Sequence, residues 1–244
     1  MNCTNWIEKH ADFVPDRIVL RFLPNPDAPA WEWSYADFAG RVRKLARGLR
    51  QELGIGRGDR IAFLGYNHPD MLALLFACAR LGAILVPLNW RLAPAEHEYI
   101  LRNAGVSTVV CEQDFLTHAE HCQAALPENR WVALGFTQEG WVQFNALLDS
   151  GNGDDANPGI RPETPLLLVY TSGTTGRPKG AVLTQEALFW NALNSVHLHD
   201  FTSQDHVLSV LPHFHVGPLN IQTTPALYVG AKQTLTPKFD PGLV

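Results

Sequence analysis

Residues 166–180, LLLVYTSGTTGRPKG, constrain this chain more than any other stretch. Four apolar residues in a row, Leu166 to Val169, form the pattern of a strand buried on both faces. The composition then switches. Gly173, Gly176 and Gly180 permit positive φ and leave main-chain N–H groups uncovered. Thr171, Ser172, Thr174 and Thr175 supply hydroxyls, and Lys179 supplies a point charge. Bare amides and a cation gathered after a buried strand are the chemistry of a polyphosphate cradle. A hydroxyl-rich hairpin with no ligand is the alternative. The common triphosphatase loop needs glycine before the lysine and Ser or Thr after it, whereas Pro178 and Gly180 stand there. Tyr170 occupies the first glycine position of the hydrolase elbow, so Ser172 is not read as a nucleophile.

Around this stretch, helical and strand periodicities alternate. A helix is expected over 6–13, then an irregular arm to about Pro29 and a strand over 31–34. Ser34 and Asp37 open a helix whose apolar face is Phe38, Val42, Leu45 and Leu49, and Gly54 closes it. The glycines of 54–59 follow a helix and precede a strand, the reverse of a dinucleotide fingerprint, and read as a turn. Strands are expected over 60–66, 84–88, 108–111, 131–134, 181–183, 207–211 and 234–235. Helices are expected over 69–81, 94–104 and 114–125, at 144–148, after Thr184 and over about 217–229. The helix over 69–81 is apolar nearly all round and should be sandwiched. This alternation predicts an α/β fold, a layered parallel or mixed sheet with helices on both faces. Such sheets take ligands at the carboxyl ends of their strands, where the glycine-rich loop lies. The polar stretch 150–165 separates a first portion, about 1–160, from a phosphate-loop portion, about 161–244.

Composition excludes several alternatives. A net charge of −5 leaves no basic footprint for nucleic acid. Cys3, Cys78, Cys111 and Cys122 form no C-x-x-C pair and are expected as buried, reduced thiols of a cytoplasmic protein. The start, MNCTNWIEKHADF, is too polar for a signal peptide, and the apolar run 71–88 is interrupted by Arg80, Gly82 and Pro87, which argues against a membrane span. His97, His118 and His121 lack acidic or cysteine partners at ligand spacing and read as packing or surface residues; no metal ligand is assigned.

The run TSGTTGRPKG resembles, position for position, the signature loop of the adenylate-forming superfamily, which includes acyl-CoA synthetases, aryl-CoA ligases, luciferases and peptide-synthetase adenylation domains. A second stretch, LSVLPHFHVGPLN at 208–220, resembles that family's acyl-binding segment. Read without the resemblance, Pro212 and Gly217 shape a turn and His213 and His215 are incidental. The resemblance implies instead that His215 is catalytic and that His215 and Gly217 line the place where acid meets nucleotide. Pro218 and His213 depart from the commoner glycine and apolar residues. Weaker similarity runs through SYADFAGRVRKLARGL, GDRIAFLGYN, ARLGAILVPLNWRLAPAE and GAKQTLTPKFDP.

The resemblance further implies that Thr171, Ser172, Gly173, Thr174, Thr175, Gly176 and Lys179 hold the ATP phosphates. Magnesium would bridge those phosphates and CoA would be the co-substrate. Relatives for α-amino acids carry an aspartate near 213–215. None stands here, so the expected acid lacks an α-amino group. The family's Tyr-Gly-x-Thr-Glu segment, ribose-holding aspartate and C-terminal lid have no counterpart in the 244 residues. The chain is therefore expected to be the incomplete large N-terminal domain of an acid–thiol ligase, inactive alone and self-associating through an incomplete sheet. A non-catalytic remnant that binds a nucleotide or a partner is the alternative.

Overall fold

The computed structural model describes residues 3–25, 27–149, 156–157, 159–171 and 177–242. In chain order, Thr4–Phe13 (α1) leads to Ile18–Phe22 (β1), Trp31–Ser34 (β2) and Tyr35–Leu53 (α2). Arg60–Leu64 (β3), Pro69–Leu81 (α3), Ile84–Pro87 (β4), Pro94–Ala104 (α4) and Thr108–Glu112 (β5) follow. A short 3-10 turn, Gln113–Phe115, precedes Leu116–Ala125 (α5), and then come Arg130–Leu134 (β6), Val142–Gln143 (β7) and Phe144–Leu148 (α6). The last third comprises Pro165–Thr171 (β8), Lys179–Thr184 (β9), Gln185–His199 (α7), His206–Ser209 (β10), a π-helical turn at Pro218–Thr223, Thr224–Val229 (α8) and Lys232–Leu235 (β11).

The strands form two sheets rather than one. A seven-stranded mixed sheet has the order β7-β6-β5-β3-β4-β8-β9, and a four-stranded sheet the order β10-β11-β1-β2. The portions 1–160 and 161–244 each contribute strands to both. The arm before Pro29 is therefore not irregular throughout: Ile18–Phe22 is a strand whose Val19, Leu20 and Phe22 are buried. It pairs in parallel with β11 and antiparallel with β2. Its local signal is a five-residue run, and one of its two partners lies more than two hundred residues away, beyond the reach of sequence pattern. The two-residue β7 is too short to leave any periodicity.

Elsewhere local chemistry and structure agree. Ser34 accepts from Asp37 N–H while Asp37 accepts from Ser34 N–H, a complete capping box that starts α2, and Gly54 ends it at φ 62°. Nearly every residue of α3 is buried, because α2 and α1 cover one side and the sheet the other. The four cysteines are free and buried; loss of water pushes the thiols of Cys3 up to about 12 and Cys122 up to about 11. Among the described residues no helix is long and apolar enough to cross a membrane.

Candidate functional site

The hairpin of β8 and β9 carries both limbs of the glycine-rich loop. Leu166, Leu167 and Val169 are buried, while Leu168 is partly covered. The strand lies beside β4 on one edge and antiparallel to β9 on the other. In that register Thr171 faces Lys179 and Tyr170 faces Gly180, so the hydroxyl and the ammonium-bearing residue leave the sheet side by side. Both are exposed. Lys179 is thus the first residue of a strand, which fixes its main chain. Ser172, Gly173, Thr174, Thr175 and Gly176 lie outside the described residues.

Helix α4 braces the two limbs. Tyr170 Oη donates to Asn103 Oδ1 at 2.6 Å, and Tyr99 Oη donates to Pro178 O at 3.4 Å. Burial pushes the Tyr170 hydroxyl above the usual phenol range, which keeps it a donor. Gly180 makes room for this arrangement: a Cβ there would lie 2.8 Å from Leu168 Cδ1 and 3.2 Å from the Tyr170 ring. The last glycine of the motif is therefore a packing residue.

At the carboxyl end of β10 the chain turns through 211–217. His215 N–H donates to Pro212 O at 3.2 Å, and Gly217 N–H donates to His215 Nδ1 at 3.1 Å. An accepting Nδ1 puts the proton of the neutral ring on Nε2. A cleft of about 280 Å³ separates this turn from the hairpin; Thr171, Tyr170, Pro178, Phe214 and His215 line it, with Asn89 from the end of β4. Gly217 lines an adjoining, mainly apolar groove of about 330 Å³ with Leu183, Leu188 and Ile221, and Val216 borders both. Thr171 and His215 therefore share one cavity and Gly217 sits next door. A wider groove of about 790 Å³ near Glu32 and Lys44 touches none of these residues, and its Arg41 is committed to an ion pair with Asp70.

His213 points away from the cleft. It is 1% exposed, and its Nε2 meets Thr223 Oγ1 at 2.9 Å. Burial pushes it down to about 4, so it is neutral, and its Nδ1 has no partner among the described residues. The departure at this position thus alters the packing beneath the π-helical turn and leaves the cleft wall to Phe214 and Val216. Glu112, at the carboxyl end of β5, accepts from Tyr66 N–H at 2.7 Å, and burial pushes it up to about 7. His97 is fully buried, with Nε2 on Asn89 O at 2.9 Å; it is a packing residue that holds the cleft-lining turn after β4. Tyr99 and Asn103 carry no motif of their own in the sequence. Only the fold brings them to the site.

A model described as AMP-binding enzyme matches residues 7–244. The chain belongs to the AMP-binding enzyme family. Indoleacetate–CoA ligase of Aromatoleum aromaticum is 46% identical over 98% of this chain and 46% of its own length. Feruloyl-CoA synthase of Amycolatopsis sp. is 38% identical over 86% of this chain and 40% of its own. Among solved structures, an anthranilate CoA ligase in complex with anthranoyl-AMP superposes with a TM-score of 0.86 at 25% identity, covering 98% of this chain and 45% of that one. The chain thus spans about half the length of the curated relatives it matches. Among the described residues no three His, Cys, Asp or Glu side chains gather to hold a metal ion.

Proposed function

We propose that this chain supplies the ATP- and acid-binding cleft of an acyl-CoA ligase that activates an aromatic carboxylic acid. A carboxylate oxygen attacks the α-phosphorus of ATP, the bond to the β-phosphate oxygen breaks, and pyrophosphate leaves with both electrons. The CoA thiol then displaces AMP from the acyl carbon. Thr171 and Lys179 face the departing phosphates, and the amides and hydroxyls of the glycine-rich motif would add to that grip. Lys179 offsets charge as it develops on pyrophosphate. His215 offers Nε2–H to an oxygen of the carboxylate or of the α-phosphate, and Phe214 and Val216 give the acid an apolar wall. Magnesium would enter with the phosphates of ATP.

One observation carries this reading: Thr171 of the phosphate hairpin and His215 of the second turn line one cleft at the carboxyl ends of their strands. The aromatic preference draws on Phe214 and Tyr170 in that cleft and on the indoleacetate and feruloyl ligases among the relatives. The full-length gene product, given ATP, magnesium, CoA and a panel of arylacetic, cinnamic-type, medium-chain and long-chain acids, should release AMP in an acid-dependent way. Aryl acids should be favoured at least about tenfold in kcat/KM, the discrimination one well-filled apolar contact supplies. Absence of acid-dependent AMP would overturn the ligase reading. Equal use of long-chain acids would overturn the aromatic one.

A further inference from the structure

The loop that ends β3 holds a buried side chain with no part in the chemistry described so far. Asn67 is 2% exposed. Its Nδ2 donates to Leu211 O at 3.0 Å and to Thr236 O at 3.2 Å, and its Oδ1 accepts from His213 N–H at 2.8 Å. Its own main-chain N–H donates to Pro237 O at 3.0 Å. The amide can face only one way. Turned over, it would set its NH₂ group against the His213 N–H and its carbonyl against two carbonyls.

The contacts to Leu211 and His213 bracket Pro212, so one amide fixes both sides of the turn that begins the second site segment. Pro212 O in turn accepts from His215 N–H, and Gly217 N–H sets the tautomer of the His215 ring. A path of hydrogen bonds joined by short covalent links therefore runs from a loop of the seven-stranded sheet, through the turn after β10, to the ring of a cleft-lining histidine. Thr236 and Pro237 tie the end of β11 into the same point. A residue that only joined the two sheets would need the Thr236 and Pro237 bonds alone. The pair around Pro212 instead aims at the segment that carries His215.

We propose that Asn67 is a positioning residue for His215: it holds the Leu211–His213 turn so that Nδ1 accepts from Gly217 and Nε2–H is offered to the cleft. This rests on the ligase reading, in which His215 touches the reacting groups, and deepens it.

The test is a double-mutant cycle in the full-length gene product, with His215→Ala, Asn67→Ala and both together, each checked for folding by circular dichroism. Asn67→Ala should slow acid-dependent adenylate formation about tenfold or more, on the scale of losing one aligned donor, with KM for ATP within about twofold. In the His215→Ala background it should cost less than about twofold, because the group it positions is gone. Imidazole nitrogen NMR gives a readout that needs no turnover. His215 should be the Nε2–H tautomer in the parent and a mixture in Asn67→Ala.

Asn67→Asp, nearly isosteric, keeps the acceptor and, when protonated, one donor. It should fall between parent and alanine variant and serves if Asn67→Ala does not fold. Costs that multiply in the double variant, or an unchanged His215 tautomer, overturn the Asn67 inference while leaving the ligase reading intact. His215→Ala with undiminished adenylate formation overturns the role of His215 itself, and the role of Asn67 falls with it.

Discussion

The two walls of the cleft are built on different principles. The wall assigned to phosphate is a two-stranded hairpin at a sheet edge, with Thr171 and Lys179 exposed, braced against α4 by Tyr170 Oη donating to Asn103 and Tyr99 Oη donating to Pro178 O. The acyl wall is a turn pinned from beneath by a buried polar network. Asn67 holds Leu211 and His213, His213 meets Thr223, Thr223 meets Ser209, and Ser209 donates to Gln233. A polyphosphate brings its own charge and is gripped by whatever amides and cations line up along it. An acid at the point of attack needs a fixed geometry, where small misplacements are costly in rate. The difference teaches that one wall presents exposed groups from a sheet-edge hairpin, while the other is shaped by a buried polar network beneath it.

The largest effects are expected in pH, at the buried His213 beneath the second wall and at Glu112 of the seven-stranded sheet. His213 has its folded value near 4 against an ordinary 6.5, so the unfolded chain binds more protons between those limits. Its burial is harmless above about pH 6.5, and stability is lost as pH falls toward 4, on the order of 3 kcal/mol in all. Glu112 runs the other way. Its folded value near 7 lies above an ordinary 4.5, so the native state binds more protons and stability declines as pH rises from about 4.5 to 7, by a similar amount. The two slopes oppose each other in the parent. Glu112→Gln, which keeps the acceptor for Tyr66 N–H, should raise the denaturation midpoint above pH 7 and leave an acid-labile protein. His213→Gln should do the reverse, leaving the Glu112 slope alone so that stability falls steadily as pH rises from about 4.5 to 7. Urea melts between pH 4 and 8 check both, and parallel curves for the three proteins would refute the assignment.

A smaller effect, on binding, is expected at the exposed wall. Lys179→Ala should weaken ATP about tenfold or more, since a charge-assisted contact contributes about 1.5–3 kcal/mol, while leaving the melting midpoint within a degree or two. Calorimetric titration of ATP into both proteins measures it; equal affinities would remove Lys179 from the phosphate site. The least effect belongs to the brace. Tyr99→Phe removes one long hydrogen bond to Pro178 and should cost about 0.5–1 kcal/mol of ATP affinity with no change in acid preference. Altered acid preference would show that α4 governs the acyl wall as well.

Legibility in the sequence follows the same division. The helix starts at Ser34 and Thr184 were readable because a capping side chain acts within three residues. The stops at Gly54 and Gly105 were readable because left-handed backbone favours glycine. The strand that holds Leu166–Val169 announced itself by composition. What could not be read were β1, one of whose partners is the distant β11, and the second sheet it helps to form. Asn67 was equally silent: it stands in GDRIAFLGYN with nothing local to mark it, and its partners lie at 211, 213 and 236. The departure at His213 was visible, but its direction was not. A histidine after proline reads the same whether it faces a ligand or a buried threonine.

The parallel pairing of Ile18–Phe22 with Lys232–Leu235 has a consequence in time as well as in space. A ribosome delivers the first strand of that sheet long before its neighbour exists, and joining them closes a loop of some two hundred residues. The seven-stranded sheet can condense as its strands emerge, since most of its pairings join segments near one another in the chain. The four-stranded sheet must wait. The turn bearing His215 leaves β10, whose partner in that sheet is β11, so that turn acquires its shape only once residues 232–235 have emerged, after the hairpin of β8 and β9 can already be in place.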